Sequence, residues 1–107
     1  MTQLPKRVTP EDIDNNIHSA HYFTAAQGIQ GATPPGLRTA VPPESTKLMT
    51  ICTLVLKNGF IVIGHSACAD PASYSQEVGE QIALRNAKDQ IWPLMGYLLK
   101  QELSQNV

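Results

Sequence analysis

Charged side chains are scarce in this 107-residue chain: Asp, Glu, Lys and Arg make up 16% of it, against the quarter usual for a soluble domain. Solubility therefore rests on uncharged polar residues. Charge of one sign is lacking too, since eight basic and nine acidic residues leave a formal net charge of −1 and are scattered along the chain. That excludes the basic stripe with which a protein grips long DNA or RNA, although two or three cationic groups still suffice for a small anionic ligand. Cysteine is nearly absent. Cys52 and Cys68 are too few for a disulfide framework and match no zinc spacing, so both read as reduced thiols of a cytoplasmic protein. No window approaches the roughly 18 consecutive apolar residues of a membrane span, and Met1 to Lys6 has no apolar stretch behind its charges. Neither a membrane nor a secretory signal is expected. Missing as well are a glycine-rich phosphate loop, a nucleophile elbow and paired histidines at helical metal-binding spacing. The expectation is a single-domain binding protein that is not an enzyme and uses no metal or cofactor.

What is present divides the chain into four stretches. Thr9-Pro10-Glu11-Asp12 reads as a helix start, with Thr9 as cap, Pro10 in the first helical position and Asp12 completing a variant capping box. Ile13, Ile17 and Ala20 follow at helical spacing, which predicts an N-terminal helix over 9–26. Residues 27–46 carry three glycines and four prolines, including Pro34-Pro35 and Pro42-Pro43, and read as a long, partly disordered loop. Over 47–66 two β-rich runs flank Asn58-Gly59, the preferred pair of a two-residue hairpin turn. Pairing Lys57 with Phe60 then sets Leu56 opposite Ile61, Leu54 opposite Ile63 and Cys52 opposite His65. Over 70–104 the chain reads as helical, opened by Asp70-Pro71 and carrying Gly79, Ala83 and Ala87 every four residues, continued by Ile91, Leu94 and Leu98. Pro93 should kink or divide that helix. The fold class is thus α+β: a two-stranded antiparallel hairpin packed on a long, Pro-kinked C-terminal helix plus a short N-terminal helix. Both hairpin faces are apolar and one helical layer covers only one, so the second face points to another copy of the chain.

Each piece of candidate chemistry has a plainer explanation beside it. Cys52 opposite His65 imitates a thiol–imidazole pair, yet a free cysteine usually behaves as a small hydrophobe. His18 and His21 stand three apart on the expected first helix with no third ligand in sight, which favours surface histidines. The joint Ser66-Ala67-Cys68-Ala69-Asp70-Pro71 offers amides to an anion, unless Asp70 itself caps them. Arg85 at four-residue spacing from Asp89 makes an ordinary helix-surface pair. The alternative is that Arg85 or Lys88 contacts a phosphate across a protomer boundary, with Phe60 and Tyr74 as the aromatics placed to share such a site.

The run Thr50-Ile51-Cys52-Thr53-Leu54-Val55-Leu56-Lys57-Asn58-Gly59-Phe60-Ile61-Val62-Ile63-Gly64-His65-Ser66-Ala67-Cys68-Ala69-Asp70-Pro71 resembles a family of small phage and prophage proteins. So do Gly79, Ala83 and Ala87 followed by Ile91-Trp92-Pro93-Leu94 and Gly96-Tyr97-Leu98-Leu99, and the opening Val8-Thr9-Pro10-Glu11. That family is similar to the Thoeris anti-defence sponges. The resemblance implies a protein that binds a cyclic ADP-ribose isomer, and in some members cyclic oligonucleotides, without cleaving them, working as dimers assembled into hexamers. It implies ligand sites built from an aromatic, a polar residue and an arginine of neighbouring protomers, matched here by Phe60, Asp70 and Arg85. Asp70 departs from the pattern, because a carboxylate repels phosphate where an asparagine would donate to it. The competing reading is a structural or protein-interaction module with no nucleotide pocket.

Overall fold

Thr9 does start a helix. Its hydroxyl accepts the Asp12 N–H at 3.2 Å and the Asp12 carboxylate accepts the Thr9 N–H at 2.9 Å, a reciprocal cap that satisfies two orphan donors. In the computed structural model, which describes residues 7–37 and 41–105, this helix is α1 (Pro10–Asn15). The chain then runs through β1 (Ile17–Thr24), α2 (Ala25–Ala32), β2 (Met49–Leu56), β3 (Ile61–Ala67), α3 (Gln76–Asp89) and α4 (Ile91–Gln105), with short 3-10 turns at Pro35–Leu37, Glu44–Leu48 and Pro71–Ser73.

The expected hairpin is therefore part of a three-stranded antiparallel sheet in the order β1-β2-β3, and the N-terminal helix over 9–26 is corrected to a six-residue helix, a strand and the start of another helix. Ile13, Ile17 and Ala20 imitate helical spacing, but Ile17–Thr24 is rich in β-favouring Ile, Tyr, Phe and Thr, and β2 has a free edge for it to pair. A β-bulge between Ile17 and Ser19 adds one residue, which turns Ile17 to the core side although Ser19 faces away. The stretch 27–46 is likewise more ordered than expected. Thr24 caps α2 through a second reciprocal box with Gln27, and α2 takes the first six residues of the stretch read as loop. Residues 38–40 lie outside the described part.

The hairpin register is displaced by one residue from the expected one. Leu56 N–H donates to the Phe60 carbonyl at 2.8 Å and Gly59 N–H to the Leu56 carbonyl at 2.9 Å, so Lys57, Asn58 and Gly59 form a three-residue loop with Gly59 at φ +89°. Asn58-Gly59 serves this loop as well as the two-residue one, because both need a glycine with positive φ. The observed pairs are Val55–Ile61, Thr53–Ile63 and Ile51–His65, and a one-residue slip moves every β3 side chain to the opposite face. Val62 and Gly64, rather than Ile61, Ile63 and His65, lie under α3. The close approach of α3 explains why: a Cβ on Gly64 would stand 2.1 Å from the Ala87 nitrogen and 2.5 Å from the Ala83 carbonyl oxygen.

The expected helix stripe is present where it meets the sheet. Gly79, Ala83, Ala87 and Ile91 are buried, joining Ile13, Cys52, Leu54, Leu56 and Val62 in the core. Beyond Ile91 the stripe stops being core, since Leu94 and Leu98 are exposed. The long C-terminal helical region with a bend fits expectation, but α3 begins at Ser75 rather than at Asp70, and the break falls at Gln90. Pro93 thus occupies the first turn of α4, where its missing N–H costs nothing.

Candidate functional site at the two ends of β3

The sequence candidates fall at the two ends of strand β3. Phe60 precedes it at the hairpin tip, 54% exposed, on the rim of a hollow of about 300 Å³ whose wall continues through Asn16, Asn58, Pro93 and Tyr97. The tip is held firmly. The Asn58 side-chain carbonyl accepts the Phe60 N–H at 2.9 Å, and Lys57 N–H donates to the Asn16 carbonyl at 2.9 Å, which ties the loop to the end of α1. Tyr97, the most exposed aromatic at 71%, brings a second ring to the hollow. Neither it nor Asn16 was legible as a site residue, because Tyr97 reads as one more apolar position of a helix and Asn16 as its polar flank.

At the other end of β3, Asp70 is committed locally. Its carboxylate accepts the Ala72 N–H at 3.0 Å and the Ser73 hydroxyl at 3.1 Å, and its carbonyl receives the Cys68 thiol at 3.1 Å. Of the two readings of this joint, the capping one is formed: Asp70 caps a three-residue 3-10 turn. Tyr74 follows, its hydroxyl 3.4 Å from that of buried Thr50. The ring separates two hollows, one shared with Glu44, Lys47 and Pro71 and one with Tyr22, Thr50 and Glu80.

Arg85 and Lys88 stand on α3 between these ends. Arg85 is exposed and makes no ion pair or side-chain hydrogen bond among the described residues, so the expected Arg85–Asp89 pair is not formed. Lys88 is engaged, its ammonium 2.9 Å from the Asp14 carboxylate, which straps α3 to α1. Next to Arg85, the Asn86 amide donates to the His65 carbonyl at 2.8 Å and so covers one acceptor of the β3 edge.

The structure separates the groups of the other two constellations. Cys52 pairs with Gly64 and Tyr22, while His65 pairs with Ile51 on the opposite face. The thiol faces the Tyr22 phenol instead, and burial foremost pushes the ionisation of both upward. His18 and His21 sit on β1 rather than on a helix, His18 within the bulge, and the His21 ring lies 3.0 Å from the Ser19 hydroxyl. Among the described residues no three His, Cys, Asp or Glu side chains group to hold a metal.

Among the described residues the sheet face away from α3 stays largely open. It presents Phe23 and His21 from β1, Ile51, Thr53 and Val55 from β2, and Ile61, Ile63 and His65 from β3, with Ile61 and Ile63 57% and 58% exposed. None of these residues is Asp, Glu, Lys or Arg. Among the described residues no helix is long and apolar enough to cross a membrane.

Phe60 and Asp70 bracket a strand of seven residues, about 20 Å or more at the usual rise per residue, so one small ligand cannot touch both within a single chain. A family model described as phage protein (N4 Gp49/phage Sf6 gene 66) family matches residues 8–103. No curated protein and no solved structure matches the chain.

Proposed function

The chain belongs to the phage protein (N4 Gp49/phage Sf6 gene 66) family, and from that premise we propose that it is an anti-defence sponge, a non-enzymatic protein that sequesters small cyclic nucleotide immune signals in the host cytoplasm. The observation that carries this reading is the segregation of the candidate residues to opposite ends of β3. A two-fold axis crossing the strand would bring the Phe60 end of one copy to the Asp70 end of the other, with Arg85 on α3 between the two ends. The composite site then has an aromatic ring for a base, an uncommitted guanidinium for phosphate and a polar turn. The open apolar sheet face gives a separate reason for self-association, because burying Ile61 and Ile63 against a second copy removes from water the most exposed apolar side chains on it. Arg85 is the cation of this site and Lys88 a support, since Lys88 is already paired with Asp14.

The test is retention and release. Purified protein is incubated with cyclic ADP-ribose isomers and with cyclic oligonucleotides, recovered by filtration and heated, and the supernatant is analysed. Intact nucleotide in the supernatant is the expected outcome, accompanied by a stabilisation of about 2.7 kcal/mol at a ligand concentration a hundred times the dissociation constant. Phe60→Ala and Arg85→Ala should each abolish retention. Nothing retained by a folded protein, or nucleotide released as cleaved product, ends the sponge reading. In the first case a protein-interaction module takes its place, a role that the exposed Leu94, Tyr97 and Leu98 of α4 also suit.

A further inference from the structure

A second cavity, remote from Phe60, has a chemistry of its own. It lies where the end of β1, the start of β2 and the first turns of α3 meet, measures about 130 Å³, and is lined by Tyr22, Phe23, Thr50, Tyr74 and Glu80 together with the amides of Gln27 and Gln76. Two of the chain's three tyrosines, Tyr22 and Tyr74, border this one small space, while the Phe23 side chain belongs to the opposite sheet face. The cavity's volume falls well below the roughly 300 Å³ at which drug-sized ligands begin to fit, which restricts it to a single chemical group.

Charge decides which group. Glu80 has no cation paired with it among the described residues and receives only the Gln76 amide at 3.2 Å. Among the described residues no lysine or arginine lines the cavity. Lys47, in the neighbouring hollow beyond Tyr74, is held by Glu44 at 3.0 Å. Burial foremost, with Glu80 as a lesser cause, pushes the ionisations of Tyr22 and Cys52 upward, and among the described residues Glu80 is the one acidic side chain lining the space. An anion is repelled from such a cavity. The walls are also fixed: Thr50 is buried against the Tyr74 hydroxyl, and Gly79 leaves room for that contact, since a Cβ there would stand 2.7 Å from the Thr50 Oγ1.

Two tyrosines beside one carboxylate without a cation form an environment suited to a cationic nitrogen bearing alkyl groups, since the carboxylate supplies the counter-charge and phenol rings attract cations through their quadrupoles. We propose that the Tyr22–Tyr74–Glu80 cavity binds an alkylammonium group. This site is separate from the nucleotide site and stands whether or not the sponge reading does.

The test titrates the protein with choline, with n-butylammonium and with 3,3-dimethylbutan-1-ol, the uncharged isostere of choline, following the ring resonances of Tyr22 and Tyr74. At least one ammonium should shift both tyrosines and bind at least tenfold more tightly than the alcohol. Which of the two does so tells whether the cavity takes a methylated or a primary ammonium. Glu80→Gln should weaken that binding about tenfold and leave the alcohol unaffected, Tyr74→Leu should abolish it, and Tyr74→Phe, which keeps the ring, should retain it. Equal binding of alcohol and ammonium, no shift with any of the three, or full binding by Glu80→Gln would overturn the proposal.

Discussion

Gly64 is the residue on which the joint between sheet and helix depends. A methyl group there meets the backbone of α3 at Ala83 and Ala87, and backbone cannot step aside as a flexible side chain does. Gly64→Ala should cost about 3 kcal/mol or more, read as a lower urea midpoint or as failure to fold. Cys52 and Tyr22 make a second prediction, this time for pH. Burial foremost raises the Cys52 thiol above its ordinary 9.0 and the Tyr22 phenol above its ordinary 10.0, so the folded chain keeps protons that the unfolded chain has released. Stability from these groups is complete below pH 9 and falls as pH rises past it, the thiol acting first. Urea midpoints measured from pH 7 to 10.5 should decline from about pH 9, and Cys52→Ala should remove the earlier part of the decline. A midpoint that stays level through pH 10 would contradict this. At this scale much was legible in the sequence. The Thr9 box, the Gly79-Ala83-Ala87-Ile91 core stripe and the buried Cys52 all follow from local spacing. Nothing local announces the cavity at Tyr74, because its walls come from β1, β2 and α3, and only their packing brings Tyr22 and Glu80 together.

Elements were legible where their signal was unambiguous and were lost where two periods competed. Ile13, Ile17 and Ala20 fit a helix, whereas the bulge at Ile17 breaks the alternation that would have declared β1 a strand. The hairpin was found from Asn58-Gly59, but its register was not, since two-residue and three-residue loops accept the same pair and only the demand for a glycine under α3 separates them. Pro93 shows the same division between existence and position. The sequence announces a discontinuity and places it at the proline, whereas the structure puts the break at Gln90 and uses Pro93 inside the first turn of α4. A proline in that position removes no hydrogen bond. Pro93→Ala should therefore change stability by less than about 0.5 kcal/mol and leave helix content by circular dichroism unaltered, whereas a proline that kinked a continuous helix would show a gain approaching 3 kcal/mol when replaced.

The molecule as a whole is long for its mass. Its radius of gyration is 18.0 Å and its extents are 60 × 32 × 18 Å, against a radius of about 13 Å for a compact domain of this size. Much of its apolar surface consequently stays in water, on α4 and on the open sheet face. The proposed self-association predicts that Ile63→Glu, which places a carboxylate on that face, yields a folded monomer in sedimentation velocity while the unaltered chain sediments as a larger species. A monomeric parent would remove the composite nucleotide site with it. The strand order carries a further consequence, for synthesis. β1 and β2 are neighbours in the sheet, yet residues 25–48 intervene between them, whereas β2 and β3 are joined by a tight turn. At about 5–20 residues per second on the ribosome, β1 emerges and waits for seconds with no strand to pair with. The hairpin, once released, closes within about 10 μs. Once β2 is released, its free edge is equally open to its own waiting β1 and to the β1 of a neighbouring nascent chain, which makes an exchanged strand the characteristic misfolding hazard of this topology.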